Sequence, residues 1–170
     1  YCCKCNTFFL QQKEKLIMAK LKHFTDSIYY EIEQTAKFCR TLGVQIFEKL
    51  NFPISIEEYC ALDTILCNEG ICQRDLAKLI LKDRANTGRL LNSLDKKKLI
   101  KRHVDLKNNR LVRKLAITDK GKALLQDITK QIYPFYEKCV DKVSMEAVEN
   151  LRSLLKQMRE SLACAVELQI

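Results

Sequence analysis

The sequence predicts a mainly α-helical protein interrupted by one small β-hairpin, and three observations carry that prediction. Apolar residues recur at three- and four-residue steps over most of the chain, the period of an amphipathic helix. The stretch from Leu99 to Thr118 breaks that period and alternates, with β-branched residues, as strands do. Glycine and proline are scarce, 4 and 2 in 170 residues, so few breaks separate the elements. A chain of this length that is 47% apolar buries a real core and reads as one domain with a helical appendage.

Residues 1–23 read as an N-terminal extension. The chain opens Tyr1-Cys2-Cys3-Lys4-Cys5, and its first methionine is Met18, after the polar run Gln11-Gln12-Lys13-Glu14-Lys15. Residues 1–17 are therefore expected to be non-native, with the natural start at Met18. A competing reading takes Cys2 and Cys5 as half of a metal site, but no second Cys/His pair stands at ligand spacing. No metal and no cofactor are expected. Nine cysteines in irregular spacing, without a secretory signal, point to reduced thiols.

From Asp26 to Leu50, Ile28, Ile32, Cys39, Ile46 and Leu50 mark the apolar face of a first helix, ended by Pro53. Ser55 caps a second helix through Leu66, with Tyr59, Leu62 and Leu66 on one face. Cys60 and Cys67 lie seven apart on it, one above the other, which assigns them to packing. A short third helix follows Gly70, with Cys72 at the N-cap and Asp75 three residues on, the spacing of a capping box.

Asp83 caps the fourth helix, where two faces separate at about 100° per residue. Thr87, Leu90, Leu91 and Leu94 fall on one side; Ala85, Arg89, Asn92 and Lys96 fall on the other. An apolar inner face under an outer face of small, amide and basic side chains suits the major groove, where Arg pairs with guanine and Asn with adenine. Leu99–Val104 and Arg110–Thr118 then form a hairpin around residues 105–109, with Lys107 and Arg110 at its tip and Arg113 and Lys114 beyond. Such a basic projection reaches phosphates or the adjacent minor groove. Two long helices close the chain, from Lys120 to about Asp141 and from a Ser144 cap to the end, with Pro134 expected to kink the former.

Charge follows the same map. The net charge of +9 alone fits nucleic acid or a membrane surface equally, yet residues 74–122 hold 16 Lys and Arg against 5 Asp, leaving the remainder slightly acidic. The excess sits on the fourth helix and the hairpin, which points to nucleic acid as the partner. No run of 18 apolar residues suggests a membrane span, so a cytoplasmic protein is expected. Catalysis has little support: His23 and His103 are the only histidines, neither lies beside a nucleophile, and no phosphate-cradling glycine loop is present.

This order of elements resembles the MarR family of regulators. The resemblance spans about residues 24–168 and is carried by Cys72-Gln73-Arg74-Asp75-Leu76-Ala77, by Asp83-Arg84-Ala85-Asn86-Thr87-Gly88-Arg89-Leu90, by residues 94–100 and by Ile117-Thr118-Asp119-Lys120-Gly121. It implies a winged helix-turn-helix lobe over residues 51–119, flanked by dimerisation helices at 24–50 and 120–170. The function implied is sequence-specific binding of double-stranded DNA by a homodimer on a palindromic operator, most often as a repressor. Arg84, Ala85, Asn86, Thr87 and Arg89 become base-facing candidates, with Asn92 beside them. Gln73 and Arg74 would touch the DNA backbone, and Lys107, Asn108, Arg110 and Arg113 would serve the wing. A small anionic or phenolic effector is implied, with Phe38 and Tyr59 as pocket candidates. The other reading is a protein-interaction module that keeps the fold without operator recognition.

Four departures from the family pattern stand out. Asn108-Asn109-Arg110 replaces the usual Asp-x-Arg of the wing. Leu81 stands where a turn glycine is expected, at a cost of about 1–2 kcal/mol if the backbone is left-handed there. Gly88 replaces a hydroxyl residue. Glu31 stands near the position of the reactive cysteine of the peroxide-sensing branch, which leaves Cys72, at a helix N-terminus beside Arg74, as the redox candidate.

Overall fold

A computed structural model describes residues 22–107 and 110–165, without the side chains of 106, 107, 110–112, 164 and 165. The proposed start at Met18, the Cys2/Cys5 pair and Asn108 lie outside the described residues. The chain divides into two compact units between Leu50 and Asn51.

The first unit holds a 3-10 turn, Phe24–Asp26, and helix α1, Ile28–Lys49. Ser27 caps α1 by accepting from the Tyr30 amide at 3.2 Å, and the rings of Phe24 and Tyr30 meet edge to face across that cap at 6.0 Å.

The second unit runs α2 (Ile56–Cys67), α3 (Gln73–Leu79), α4 (Arg84–Lys96), β1 (Ile100–Lys107), β2 (Arg110–Ile117), α5 (Asp119–Val140) and α6 (Met145–Ala165). Its core is one cluster: Leu62 and Ile65 of α2, Leu76 of α3, Leu91 and Leu94 of α4, Leu99, Ile100 and Leu115 at the hairpin root, and Ile128 of α5 are all fully buried. Each such side chain contributes about 1.5–3 kcal/mol on leaving water.

Caps fix where the helices begin. Ser55 and Glu58 form a reciprocal capping box, with the Glu58 amide donating to Ser55 Oγ at 3.2 Å and the Ser55 amide to Glu58 Oε2 at 2.8 Å. Thr118 caps α5, a cap not anticipated from the sequence, which starts that helix at Asp119 rather than Lys120. Helix α5 continues without interruption through Pro134.

The strands pair antiparallel from Ile100↔Ile117 to Lys107↔Arg110. This corrects the expected hairpin: Asp105, Leu106 and Lys107 belong to β1 rather than to the loop, and both strands are eight residues long. A short extended segment before α3 joins the hairpin, with the Leu115 amide donating to Ile71 O at 2.9 Å and Cys72 bridging to Lys114. Cys60 and Cys67 also depart from expectation. Both are exposed on α2 rather than packed, and neither forms a disulfide.

Candidate nucleic-acid interface

Helices α3 and α4 meet through a turn that the sequence made doubtful. Leu81, at φ 51°, holds the left-handed conformation expected of the missing glycine. Its amide donates to Lys78 O at 3.3 Å and the Lys82 amide to Ala77 O at 3.0 Å, the paired bonds of a Schellman stop for α3. The turn thus forms at the cost of strain in Leu81.

Asp83 then caps α4, its carboxylate accepting from the Asn86 amide at 2.8 Å and from the Asn86 side chain. Those two bonds hold the Asp83 carboxyl below its usual range, leaving a fixed negative charge at the helix N-terminus, where the macrodipole favours it. The helix ends on a second Schellman stop, with Lys98 at φ 60° and the Leu99 amide on Leu94 O at 3.0 Å.

Between those caps the two faces are cleanly divided. Leu91 and Leu94 are at 0% exposure, and Arg84, Ala85, Asn86, Arg89, Asn92 and Lys96 are exposed. Thr87 does not join the outer row. It is also 0% exposed and donates to Asp83 O at 2.8 Å, so it is a core residue; the correction follows from its place on the leucine side. Among the described residues, Arg84, Arg89 and Lys96 enter no ion pair within 4 Å, so their charge is available to an external anion.

Gln73 sits at the crossing of α3 and α4. Its Nε2 donates to Arg84 O at 3.2 Å, and a Cβ at Gly88 would lie 3.3 Å from that nitrogen. Gly88 thus makes room for Gln73, which locks the two helices; the space is spent within the protein. Arg74 is exposed, with its Nε 3.4 Å from Asp75. The Cys72 thiol makes no cap bond and instead donates to Asp75 Oδ2 at 3.0 Å, correcting the expected capping box. That bond, with a further contribution from Arg74, lowers the Asp75 pKa.

In the hairpin, Arg113 is exposed, whereas Lys114 is paired with Asp105 and so is partly neutralised. The side chains of Lys107 and Arg110 lie outside those described. Sequence reasoning passed over Arg102. From β1 it donates through Nη2 to Asn92 Oδ1 at 2.7 Å and brings Nε to 3.4 Å from Asp95, joining hairpin to α4. A cationic residue among alternating apolar ones was the available signal.

Behind α4, burial raises the Glu58 pKa, but bonds from Lys97 Nζ at 2.8 and 2.9 Å, with Ser93 and the Ser55 amide, outweigh it and leave the carboxyl below its usual value. A cleft beside this pair, of about 380 Å³, is lined by Ser55, Glu57, Lys82, Asn86, Arg89 and Ser93, among others. A second cavity, about 480 Å³, has an apolar floor of Ile54, Leu99 and Leu124, with Lys97, Lys120 and Asp127 at its edges. Tyr59 lines neither; its hydroxyl meets Thr129 Oγ1 at 3.2 Å, joining α2 to α5. Phe38 lies on α1 in the first unit and is 75% exposed.

A structure of MepR from S. aureus in complex with DNA superposes with a TM-score of 0.66 at 24% identity, over 82% of this chain and 99% of that one. The regulator SlyA gives 0.67 at 24%, over 80% and 94%. MarR from E. coli, in its apo form, gives 0.64 at 20%, over 78% and 96%. The chain has the MarR winged-helix fold. No family model and no curated protein matches it in sequence. Within the MarR fold, α3 and α4 are the helix-turn-helix and β1–β2 is the wing.

Proposed function

We propose that this chain is a sequence-specific, double-stranded DNA-binding transcriptional regulator, a repressor that acts as a cytoplasmic homodimer on a palindromic operator. The observation that carries the reading is α4: a fully buried leucine face backs an exposed row of Arg84, Ala85, Asn86 and Arg89, with a basic hairpin beside it. MepR, which shares the fold, is known in complex with DNA. Two such helices, one per protomer, would enter successive major grooves about 10 bp apart.

The dimer is supported by α6. None of its described side chains is buried, yet Val148, Leu151, Leu155, Met158 and Leu162 repeat at alternating three- and four-residue steps. A second copy is the occupant that such a stripe fits. The cavity edged by Lys120 suits a small anionic or phenolic effector, with apolar walls for a ring and the Lys120 ammonium for its charge, Lys97 being paired with Glu58. Oxidation of Cys72 is a second route to release, since it would break the thiol's bond to Asp75 next to Gln73 and Arg74. A Cys72→Ser protein that still loses DNA under peroxide as the wild type does would remove that route.

The test is selection of duplexes from random and genomic pools at two salt concentrations. A palindromic motif with steep salt dependence is expected. Arg89→Ala should weaken specific binding by about 1–3 kcal/mol and relax one base position, whereas Lys107→Ala should weaken all sequences alike. Equal losses for Arg89→Ala on specific and random DNA would remove its base-reading role. Failure to enrich any motif would leave a protein-interaction module on the same fold.

A further inference from the structure

We infer that Arg102 is a positioning residue that makes Asn92 a hydrogen-bond donor toward DNA, so that Asn92 selects guanine or thymine rather than adenine. The inference rests on the DNA-reading role proposed above and adds which base one side chain reads.

Arg102 lies in β1. Its register partner is Leu115, which is buried, and its neighbour two residues back along the same face is Ile100, also buried. Arg102 thus occupies the inward face of the hairpin, unlike the exposed Lys101 beside it. Its Nε is buried without a hydrogen bond and lies 3.4 Å from Asp95 Oδ2, an ion pair that holds the guanidinium over α4. Nη2 reaches Asn92 at 2.7 Å.

A guanidinium carries donors and no acceptor, so the amide atom it faces must be the oxygen of Asn92. The Nδ2 group is left on the other side of an exposed side chain. Pairing with adenine uses both ends of an Asn amide: the oxygen accepts from N6 and the nitrogen donates to N7. Its oxygen already accepts a charge-assisted bond and is held toward the guanidinium, so the Nδ2 group, with two donor hydrogens, is the end that Asn92 leads with toward a base. In the major groove guanine presents two adjacent acceptors, O6 and N7, and thymine presents O4, whereas adenine sets its N7 acceptor beside the N6 donor, which opposes a leading Nδ2 group.

The experiment compares motifs selected from random duplexes by the full-length wild type, Asn92→Ala, Asn92→Asp and Arg102→Ala, with thermal melting of each. At the base position whose preference Asn92→Ala abolishes, the wild type should enrich guanine or thymine. Asn92→Asp keeps the oxygen toward Arg102 and lacks the amide hydrogens, so it should lose that same preference. Arg102→Ala frees the oxygen and should shift the position toward adenine by roughly tenfold. A merely structural arginine would lower affinity at every position and leave the chosen base unchanged. Adenine at that position in the wild type overturns the inference, as does a motif indifferent to Asn92→Ala, or an unshifted one in folded Arg102→Ala. Should Arg102→Ala fail to melt cooperatively, wild type against Asn92→Asp decides alone. If the wild type enriches no motif, the DNA-reading proposal falls instead.

Discussion

Single residues carry most of the strain and most of the pH sensitivity. Leu81 adopts a backbone conformation that disfavours a β-carbon, and its side chain is 67% exposed, so little burial offsets the cost. Leu81→Gly is expected to raise stability by about 1 kcal/mol, the relief of strain less the greater unfolded freedom of glycine, as read by urea denaturation. Among the described residues, Glu58 is the buried one of the three carboxylates held below their usual range, and it contributes to the acid limb. Its folded pKa lies below the ordinary 4.5, so its contribution is present above the unfolded value and is lost as pH falls through the folded one. Glu58→Gln should cost about 1–3 kcal/mol at neutral pH, where Lys97 loses its charged partner. It should also flatten the loss of stability below pH 4.5, measured by denaturation midpoints across pH.

At the scale of elements, what the sequence discloses depends on whether a signal is local. The starts of α2, α3 and α4 were legible because Ser55, Cys72 and Asp83 each precede an apolar period. The division of α4 into two faces was legible for the same reason, and the misplacement of Thr87 came from following a motif against that periodicity. The contacts of Gln73 with Arg84 and of Arg102 with Asn92 were hidden, since they join residues ten or eleven apart on different elements. The length of β1 was hidden too, because Asp105 and Lys107 have loop composition and are held by pairing with β2. Gly121 shows how tight one junction is: a Cβ there would collide with the carbonyl oxygen of Leu99 and come within 2.8 Å of Ile117 Cγ1. Gly121→Ala should therefore destabilise by about 1–3 kcal/mol, and calorimetry would show it as a lowered Tm.

For the molecule as a whole, the proposed function needs two copies. Leu151, Leu154 and Leu162 of α6 are exposed at 57%, 57% and 47%, apolar surface that a second copy would cover. If the proposed dimer forms through α6, Leu151→Lys with Leu162→Lys should give a monomer in sedimentation equilibrium and weaken operator binding at least as strongly as loss of one half-site contact, with each lobe still folded. A dimer unchanged by both lysines would place the interface elsewhere.

Thr118 gathers several of these parts at one point. Its hydroxyl accepts from the Gly121 amide and shares its hydrogen between the carbonyls of Lys98 and Leu99, while Lys120 Nζ reaches Lys97 O at 3.0 Å. The end of α4, the root of the hairpin and the first turn of α5 are riveted together there. Under the role proposed above, this joint ties the reading head to its stem, so a signal that changes the spacing of two such heads on a duplex would swing each stem as a lever.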